Sequence, residues 1–164
     1  MGFTGTVLEK GSCTYLPFYQ DELVIITPAS ERFLRRQGGD VVSWIREEPL
    51  ILREEGSGTR KETARILSRM GIEMADFCIA AVMENQETIK RSVRSGMGIS
   101  ILSRLAAEDD VKAGKLLEFP LGAEGGRRSV NLVFDAAYPV LPAADKLIRK
   151  VKELYQTGDD FAYR

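Results

Sequence analysis

The stretch that decides the fold is LILREEGSGTR, residues 50–60, where a short apolar run passes through a glycine-rich turn. Its first three residues are typical of a strand that is buried on both faces. Apolar residues then recur at helical spacing as far as Met70, and Gly71 supplies a helix stop. A strand, a glycine turn and a helix in this order indicate an α/β fold.

The same order of elements recurs immediately downstream. Residues 77–83 are predicted to form a second buried strand, and Asn85 is a plausible N-cap for the helix that follows it. Ile89 and Val93 of that helix lie at i and i+4, as on one helix face. A glycine pair then ends the helix and leads to a third strand at residues 99–102. The chain is therefore predicted to be α/β throughout.

Weaker signals extend this pattern in both directions. Residues 23–27 form a β-branched run closed by a proline, which predicts a strand buried on both faces, as in parallel sheets. Later strands are predicted at residues 115–121 and 129–136, with one or two helical turns at 105–111. The clearest helix runs over residues 143–155, where apolar side chains fall on one stripe.

Size and charge limit the classes of function. The chain has 164 residues and 44% hydrophobic residues, which is enough for a packed core. Its 23 basic and 24 acidic residues give a net charge of -1, so it lacks the basic excess of a nucleic-acid-binding surface. We find neither a signal peptide nor an apolar run of about 18 residues. A cytoplasmic protein without membrane contact is expected.

The chemistry of the side chains argues against an enzyme. The sequence contains no histidine, which removes the commonest general base and metal ligand. Cys13 and Cys78 form no CxxC pair, and the glycine turns match neither a dinucleotide fingerprint nor a phosphate loop. Lys61 and Lys90 are interpreted as solvated surface charge. We therefore expect no catalytic residue, no metal and no cofactor.

Two predicted helix starts remain as candidate binding sites. At the turn before the first helix, free backbone N–H groups, such as that of Gly58, favour an anion. The side chains of Ser57 and Thr59 would add hydroxyl donors. Arg60 is the basic residue closest to this turn. The alternative interpretation is equally favoured: Ser57 or Thr59 serves only as the N-cap of the helix, and the glycines only allow the turn.

The second start, at Asn85 and Gln86, has the same two interpretations. It is either an ordinary cap or a second group of donors that faces the same crevice at the carboxyl ends of the strands. Two such starts together favour a ligand cleft more than either alone.

These residues also carry a resemblance to a known family. The stretches 50–60 and 85–103, with residues 16–18, 21–28 and 114–116 and the closing helix, resemble the effector-binding domain of LysR-type transcriptional regulators. The resemblance implies two Rossmann-like lobes of the type 2 periplasmic-binding-protein kind, with a small effector in the cleft. It assigns the cleft to the two helix starts and to the turn formed by Thr4, Gly5 and Thr6.

The resemblance also implies a division of the chain. Residues 1–27 would be part of an incomplete first lobe, residues 28–119 the second lobe, and residues 120–164 the return crossover and the rest of the first lobe, with a helix at about 143–156. The family's winged helix-turn-helix precedes the segment matched here, so DNA contact would be made only through an element absent from this chain. A first lobe without its opening strands exposes sheet edges and apolar surface, which predicts a homo-oligomer.

Three functions compete on this basis. The first is the sensing domain of a LysR-type regulator that binds a small anionic effector, although hydroxyl groups also bind neutral sugars or amides. The second is a solute-binding protein of a transport system, which shares the fold but should carry an export signal. The third is an enzyme of a related two-lobed kind, for which no catalytic constellation is found.

Overall fold

The chain passes twice between two structural units, each time within a strand. The computed structural model describes residues 1–7, 13–121, 126–135, 137 and 141–155. Unit 1 consists of residues 1–21 and 128–164, and unit 2 of residues 22–127. The chain leaves unit 1 within strand β2 (Cys13–Pro28) and returns to it within strand β7 (Gly126–Asp135).

Unit 2 is built on a mixed sheet. Its strands, besides the second part of β2, are β3 (Leu50–Arg53), β4 (Ile79–Met83), β5 (Ile99–Ser103) and β6 (Leu116–Pro120). They follow the order β2-β5-β3-β4, and β6 pairs with β2. Strand β3 is parallel to β4 and β5, whereas β2 is antiparallel to β5 and β6.

Helices cover both faces of this sheet. Helix α1 (Glu31–Leu34) and helix α2 (Gly58–Arg69) contribute to one buried cluster, and helix α3 (Gln86–Arg94) and helix α4 (Arg104–Lys112) contribute to the other. The sequence pattern had no signal for the three short 3-10 helices, which are Val41–Ser43, Ile45–Glu47 and Met74–Asp76.

Strand β2 corrects the prediction for residues 23–27 in length and in direction. It begins ten residues earlier, at Cys13, and its neighbours in unit 2 are antiparallel. Leu23 and Ile25 pack into the cluster under α1 and α2, while Val24 and Ile26 pack into the one under α3 and α4. The continuous apolar run therefore reports that both faces are covered, and this does not depend on strand direction.

Strand β4 corrects the prediction of a buried strand at residues 77–83. It is shorter than predicted, and its residues are exposed or half-buried, with Val82 54% exposed. The reason is its position, because β4 ends the strand order beside β3. An edge strand has fewer neighbours to cover its side chains.

Lys90 corrects a third prediction, that it carries solvated surface charge. It is 5% exposed, and its Nζ lies 2.9 Å from Asp110 Oδ2 and 2.7 Å from Glu87 Oε1. Arg94 Nη1 donates to the other oxygen of Asp110 at 2.8 Å. These ion pairs join α3 to α4, so a polar cluster reinforces the apolar packing on this face.

Two glycines shape the connection from α3 to β5. Gly96 has a φ of 82°, the left-handed conformation that ends many helices and that only glycine adopts easily. Gly98 has no room for a side chain, because a Cβ would lie 2.2 Å from the carbonyl oxygen of Pro49. The same oxygen accepts a hydrogen bond from Ile99 N at 2.8 Å, so the close approach fixes the start of β5.

Unit 1 contains strand β1 (Gly2–Thr4), the first part of β2, β7 and helix α5 (Pro142–Tyr155). Strand β1, which the sequence did not predict, is antiparallel to β7. Helix α5 begins one residue before its predicted start, and its last predicted residue, at 156, lies outside the described residues. Of its apolar stripe, Val151 is buried, whereas Leu154 is 59% exposed.

Candidate functional site

Three parallel strands of unit 2 end at one edge of the sheet, and each continues into a helix. The register pairs Arg53, the last residue of β3, with Met83, the last residue of β4. The N-cap positions of the helices are Ser57 for α2 and Asn85 for α3, which lie beyond these ends, and Ser103 for α4, which is itself the last residue of β5. The two predicted helix starts therefore follow neighbouring strands.

The helices leave this edge toward opposite faces of the sheet. Ile66 and Leu67 of α2 belong to one buried cluster, and Ile89 of α3 and Ala107 of α4 belong to the other. Strand β3, whose chain turns to one face, lies between two strands whose chains turn to the other. Such a divergence opens a crevice at the carboxyl ends of the strands, where open α/β sheets bind ligands.

The start of α2 supplies hydrogen-bond donors at this end of the sheet. The first backbone bond of the helix runs from Lys61 N to Ser57 O, at 3.1 Å, so the N–H groups of residues 58–60 precede the regular ladder. Ser57 is 7% exposed, and its hydroxyl makes no capping hydrogen bond. Thr59 is 8% exposed. Ser57 is therefore the N-cap residue of α2, but its hydroxyl does not accept the hydrogen bond that an N-cap side chain usually accepts.

The charges of this first turn are opposite to those that a helix start prefers. It contains no acidic residue, and it carries Arg60 and Lys61 at the positive end of the helix dipole. Arg60 is held in place, because its Nη1 donates to the carbonyl oxygen of Arg53 at 3.2 Å. Two cations, a helix dipole and N–H groups together favour an anion.

The start of α3 is an ordinary cap in its geometry. Asn85 Oδ1 accepts a hydrogen bond from Thr88 N at 3.1 Å, and Glu87 provides the acidic residue that suits a first turn. Asn85 is exposed and Gln86 half-buried. The side-chain oxygen of Asn85 is therefore used within the helix.

The third predicted group, Thr4, Gly5 and Thr6, lies in unit 1. Thr4 Oγ1 accepts from Thr6 N at 3.1 Å and donates to Thr6 O at 3.0 Å, which closes a tight turn after β1. Thr6 Oγ1 is buried and has no hydrogen-bond partner among the described residues. A Cβ on Gly5 would lie 2.9 Å from Cζ of Arg128, so that guanidinium packs against the turn.

Arg53 and Glu54 are residues of the site region that sequence reasoning passed over. Arg53 Nε donates to Glu54 Oε2 and Arg53 Nη2 to Glu54 Oε1, both at 2.8 Å. The hydrogen bond from Arg53 holds the pKa of the Glu54 carboxyl below its usual value. The available signal was the pair of opposite charges directly after the β3 run. Ser103, at the third helix start, was also missed, and it is 8% exposed.

The described part of the chain shows neither a cluster of metal ligands nor a membrane-spanning helix. Within it, no three side chains of the His, Cys, Asp and Glu types gather as metal ligands would. No described helix is both long and apolar enough to cross a membrane.

The comparisons with known proteins assign the chain to a family. The family model for the LysR substrate binding domain matches residues 1–156, and the chain belongs to this family. The transcriptional regulator YeiE of Escherichia coli K12 is 38% identical over 102 residues, which are 62% of this chain and 33% of that protein. The RuBisCO operon transcriptional regulator of Allochromatium vinosum is 30% identical over 127 residues, 77% of this chain and 41% of that protein.

The chain thus spans about a third of the length of the first of these relatives. Because its relatives are transcriptional regulators, a solute-binding protein of a transport system is not favoured.

Solved structures establish the fold. The regulatory domain of CcmR from Synechocystis PCC6803, solved with 2-PG, superposes with a TM-score of 0.81 at 20% identity, over 94% of this chain and 73% of that one. The effector-binding domain of QuiR, solved with shikimate, gives a TM-score of 0.77 at 16% identity, over 93% of this chain and 72% of that one. The predicted resemblance and fold class, which is of the type 2 periplasmic-binding-protein kind, are confirmed.

Proposed function

We propose that this chain is the effector-sensing domain of a LysR-type transcriptional regulator and that it binds a small anion at the start of α2. Ser57, Gly58, Thr59 and Arg60 would hold the anion through backbone N–H groups, hydroxyls and a guanidinium. The observation that carries the proposal is the first turn of α2, with two basic residues and no acidic one. Two structural neighbours were solved with small molecules, which supports a ligand of this size.

Asn85 and Gln86 would contact the effector from the neighbouring strand end. Their contribution, like that of Thr4, Gly5 and Thr6, stays a prediction, as does the division into lobes at residues 27 and 119. The domain would have no catalytic role, because binding alone shifts the population of a regulator's conformations.

The DNA contact of the regulator would be made by a helix-turn-helix element of the kind that its relatives are named for. Such a regulator acts in the cytoplasm and as a homo-oligomer. Light scattering of the purified protein across a hundredfold range of concentration tests the assembly, and a monomer throughout would contradict it.

A thermal-shift screen tests the anion site. A ligand that binds only the native state raises the melting temperature. The screen would use inorganic phosphate, sulfate, phosphate esters and small carboxylates. We expect a shift that Ser57→Ala abolishes, since the Ser57 hydroxyl is nearly buried yet not used as a cap.

Ser68→Ala, in the last turn of the same helix, is the matched control and should keep the shift. The proposal fails if no anion raises the melting temperature, or if Ser57→Ala responds like the native chain.

A further inference from the structure

At the carboxyl end of β3, the guanidinium of Arg53 is hydrogen-bonded to the carboxylate of Glu54. The two hydrogen bonds from Arg53 to Glu54 are parallel and equal in length, 2.8 Å each, and they use both carboxylate oxygens. This is the two-pronged geometry in which arginine binds free carboxylates. Arg53 is 15% and Glu54 32% exposed in their side chains, so the pair is open to water on the side of Glu54.

The pair lies beside the proposed anion site. Arg53 is the last residue of β3, and the chain then turns back so that Ser57 N donates to Glu54 O at 3.0 Å. Arg60, in the first turn of α2, reaches back to the Arg53 carbonyl. The guanidinium of Arg53 therefore belongs to the same strand end and turn as Ser57 and Arg60.

Among the described residues, Arg53 is the one other residue that holds the side chain of Glu54, through two hydrogen bonds and an ion pair. A hydrogen bond to the backbone of Glu54 itself also lowers the pKa of this carboxyl group. By contrast, the pair of Asp21 and Arg128 is enclosed, with side chains 3% and 11% exposed. A carboxylate that is one-third exposed and tied to a single partner residue can turn into water at the cost of that pair and of one local backbone hydrogen bond, and exposed pairs are weak.

We infer that Glu54 takes the place of the effector's own carboxylate on Arg53, as an internal competitor that a carboxylate effector displaces. This inference rests on the anion site proposed above and names the class of anion. A carboxylate is favoured over a phosphate because Glu54 and Glu55 both remain close by, and two negative charges repel a dianion more than a monoanion.

The chain offers a matched control on helix α2, which follows the pair of Arg53 and Glu54. Arg65 Nε donates to Glu62 Oε2 at 2.9 Å and Arg65 Nη2 to the other oxygen of Glu62, which is again a two-pronged pair. It lies on the second turn of α2, where Arg65 is 45% exposed. Glu62→Gln removes the same kind of ion pair without touching the strand end.

The experiment is calorimetric titration with glycolate, lactate and shikimate as monocarboxylates and with inorganic phosphate and sulfate as the other anions. We expect the carboxylates to bind more tightly than phosphate and sulfate. Glu54→Gln should tighten carboxylate binding about three- to fivefold by removing the competitor. Arg53→Gln should weaken it at least about tenfold, and Glu62→Gln should leave it unchanged.

A direct readout is the pKa of Glu54, followed by carbon-13 NMR of its carboxyl group. It should rise toward its ordinary value when glycolate saturates the protein, because the displaced side chain has lost its partner. A pKa that stays low at saturation, or a Glu54→Gln variant with unchanged or weaker carboxylate binding, overturns the inference.

The outcomes separate the two proposals. Preferential binding of phosphate or sulfate that is lost in Ser57→Ala overturns the carboxylate class but keeps the anion site. Binding that Ser57→Ala leaves intact, or no binding of any probe, contradicts the anion site itself and the inference with it.

Discussion

The ion pairs of Lys90 show what a sequence leaves open at the scale of a residue. Its long side chain lies on a helix that is otherwise rich in charge, so solvent exposure was the reasonable expectation. In the structure its Nζ lies 2.9 Å from Asp110 Oδ2, twenty residues away along the chain on α4. Tertiary packing brings this partner to Lys90, so the local sequence pattern around Lys90 does not predict the ion pair.

Replacing Asp110 by Asn should destabilise the protein by about 2–3 kcal/mol at pH 7, because Lys90 and Arg94 lose a nearly buried counter-charge. The hydrogen bond from Lys90 holds the pKa of Asp110 below its usual value. A carboxyl group with a lowered folded pKa contributes stability above its unfolded pKa of about 3.9 and loses it as the pH falls through the folded value.

Urea unfolding of both proteins between pH 7 and pH 2.5 is the measurement. The difference in free energy of unfolding should be largest at neutral pH and shrink below about pH 4. A difference that is absent at pH 7, or that persists undiminished in acid, would contradict this role of Asp110.

A single methyl group at Gly98 should also be costly. Gly98→Ala places a Cβ 2.2 Å from the Pro49 carbonyl oxygen, which is backbone and cannot turn aside. We expect a loss of about 2 kcal/mol or more, read from thermal unfolding. Gly56→Ala is the control, since no atom lies within 4 Å of its Cβ position, and an equal loss in both variants would show that crowding is not the cause.

At the scale of the element, the sequence predicts where a strand or helix lies along the chain better than it predicts its length or its neighbours. The apolar run at β3 and the cap and glycine stop of α3 identify these elements to within a residue or two. The start of β2 was missed because residues 13–20 are exposed or half-buried and do not form a continuous apolar run. Strand direction was missed because coverage of both faces produces the same run in parallel and antiparallel sheets.

In the candidate site, too, the sequence predicted the local pattern and missed the contacts that depend on the fold. The turn at residues 56–59 was found because glycines and hydroxyls before a helical stripe form a local pattern. The pairing of Arg53 with Glu54 was missed because adjacent opposite charges are common on surfaces, and only the end of β3 gives them a place.

The edge position of β4 predicts a contrast with its neighbour. Val82→Lys should change the free energy of unfolding by no more than about 0.5 kcal/mol, because the side chain is already mostly in water. Ile51→Ala, in the fully buried centre of β3, should cost about 2–5 kcal/mol. Urea titrations compare the two, and a loss of more than about 2 kcal/mol in Val82→Lys would mean that β4 is covered in solution.

At the scale of the whole molecule, the two units differ in the apolar surface they bury. Unit 2 contains both buried clusters, whereas the buried hydrophobic side chains described in unit 1 are Leu132 and Val151. Phe3 of β1 and Leu154 of α5 are more than half exposed. Local stability follows such burial, so the units should open to different degrees.

Amide hydrogen exchange should therefore be faster in β1 and α5 than in β3 and β5. Mass spectrometry of peptides from these four elements, at one pH and temperature, is the measurement. Equal protection across all four would mean that another surface, such as a second subunit, covers unit 1 in solution.

The passage of the chain between its units within two strands bears on how the protein can be engineered. Residues 22–127 form a continuous segment inside a discontinuous one, as in a domain inserted into a host. The backbone at Gly126 approaches Leu23 so closely that a Cβ would lie 2.5 Å from the Leu23 carbonyl oxygen. The two ends of the segment are thus neighbours, and a short linker would close it into a ring or permit new termini in an exposed loop.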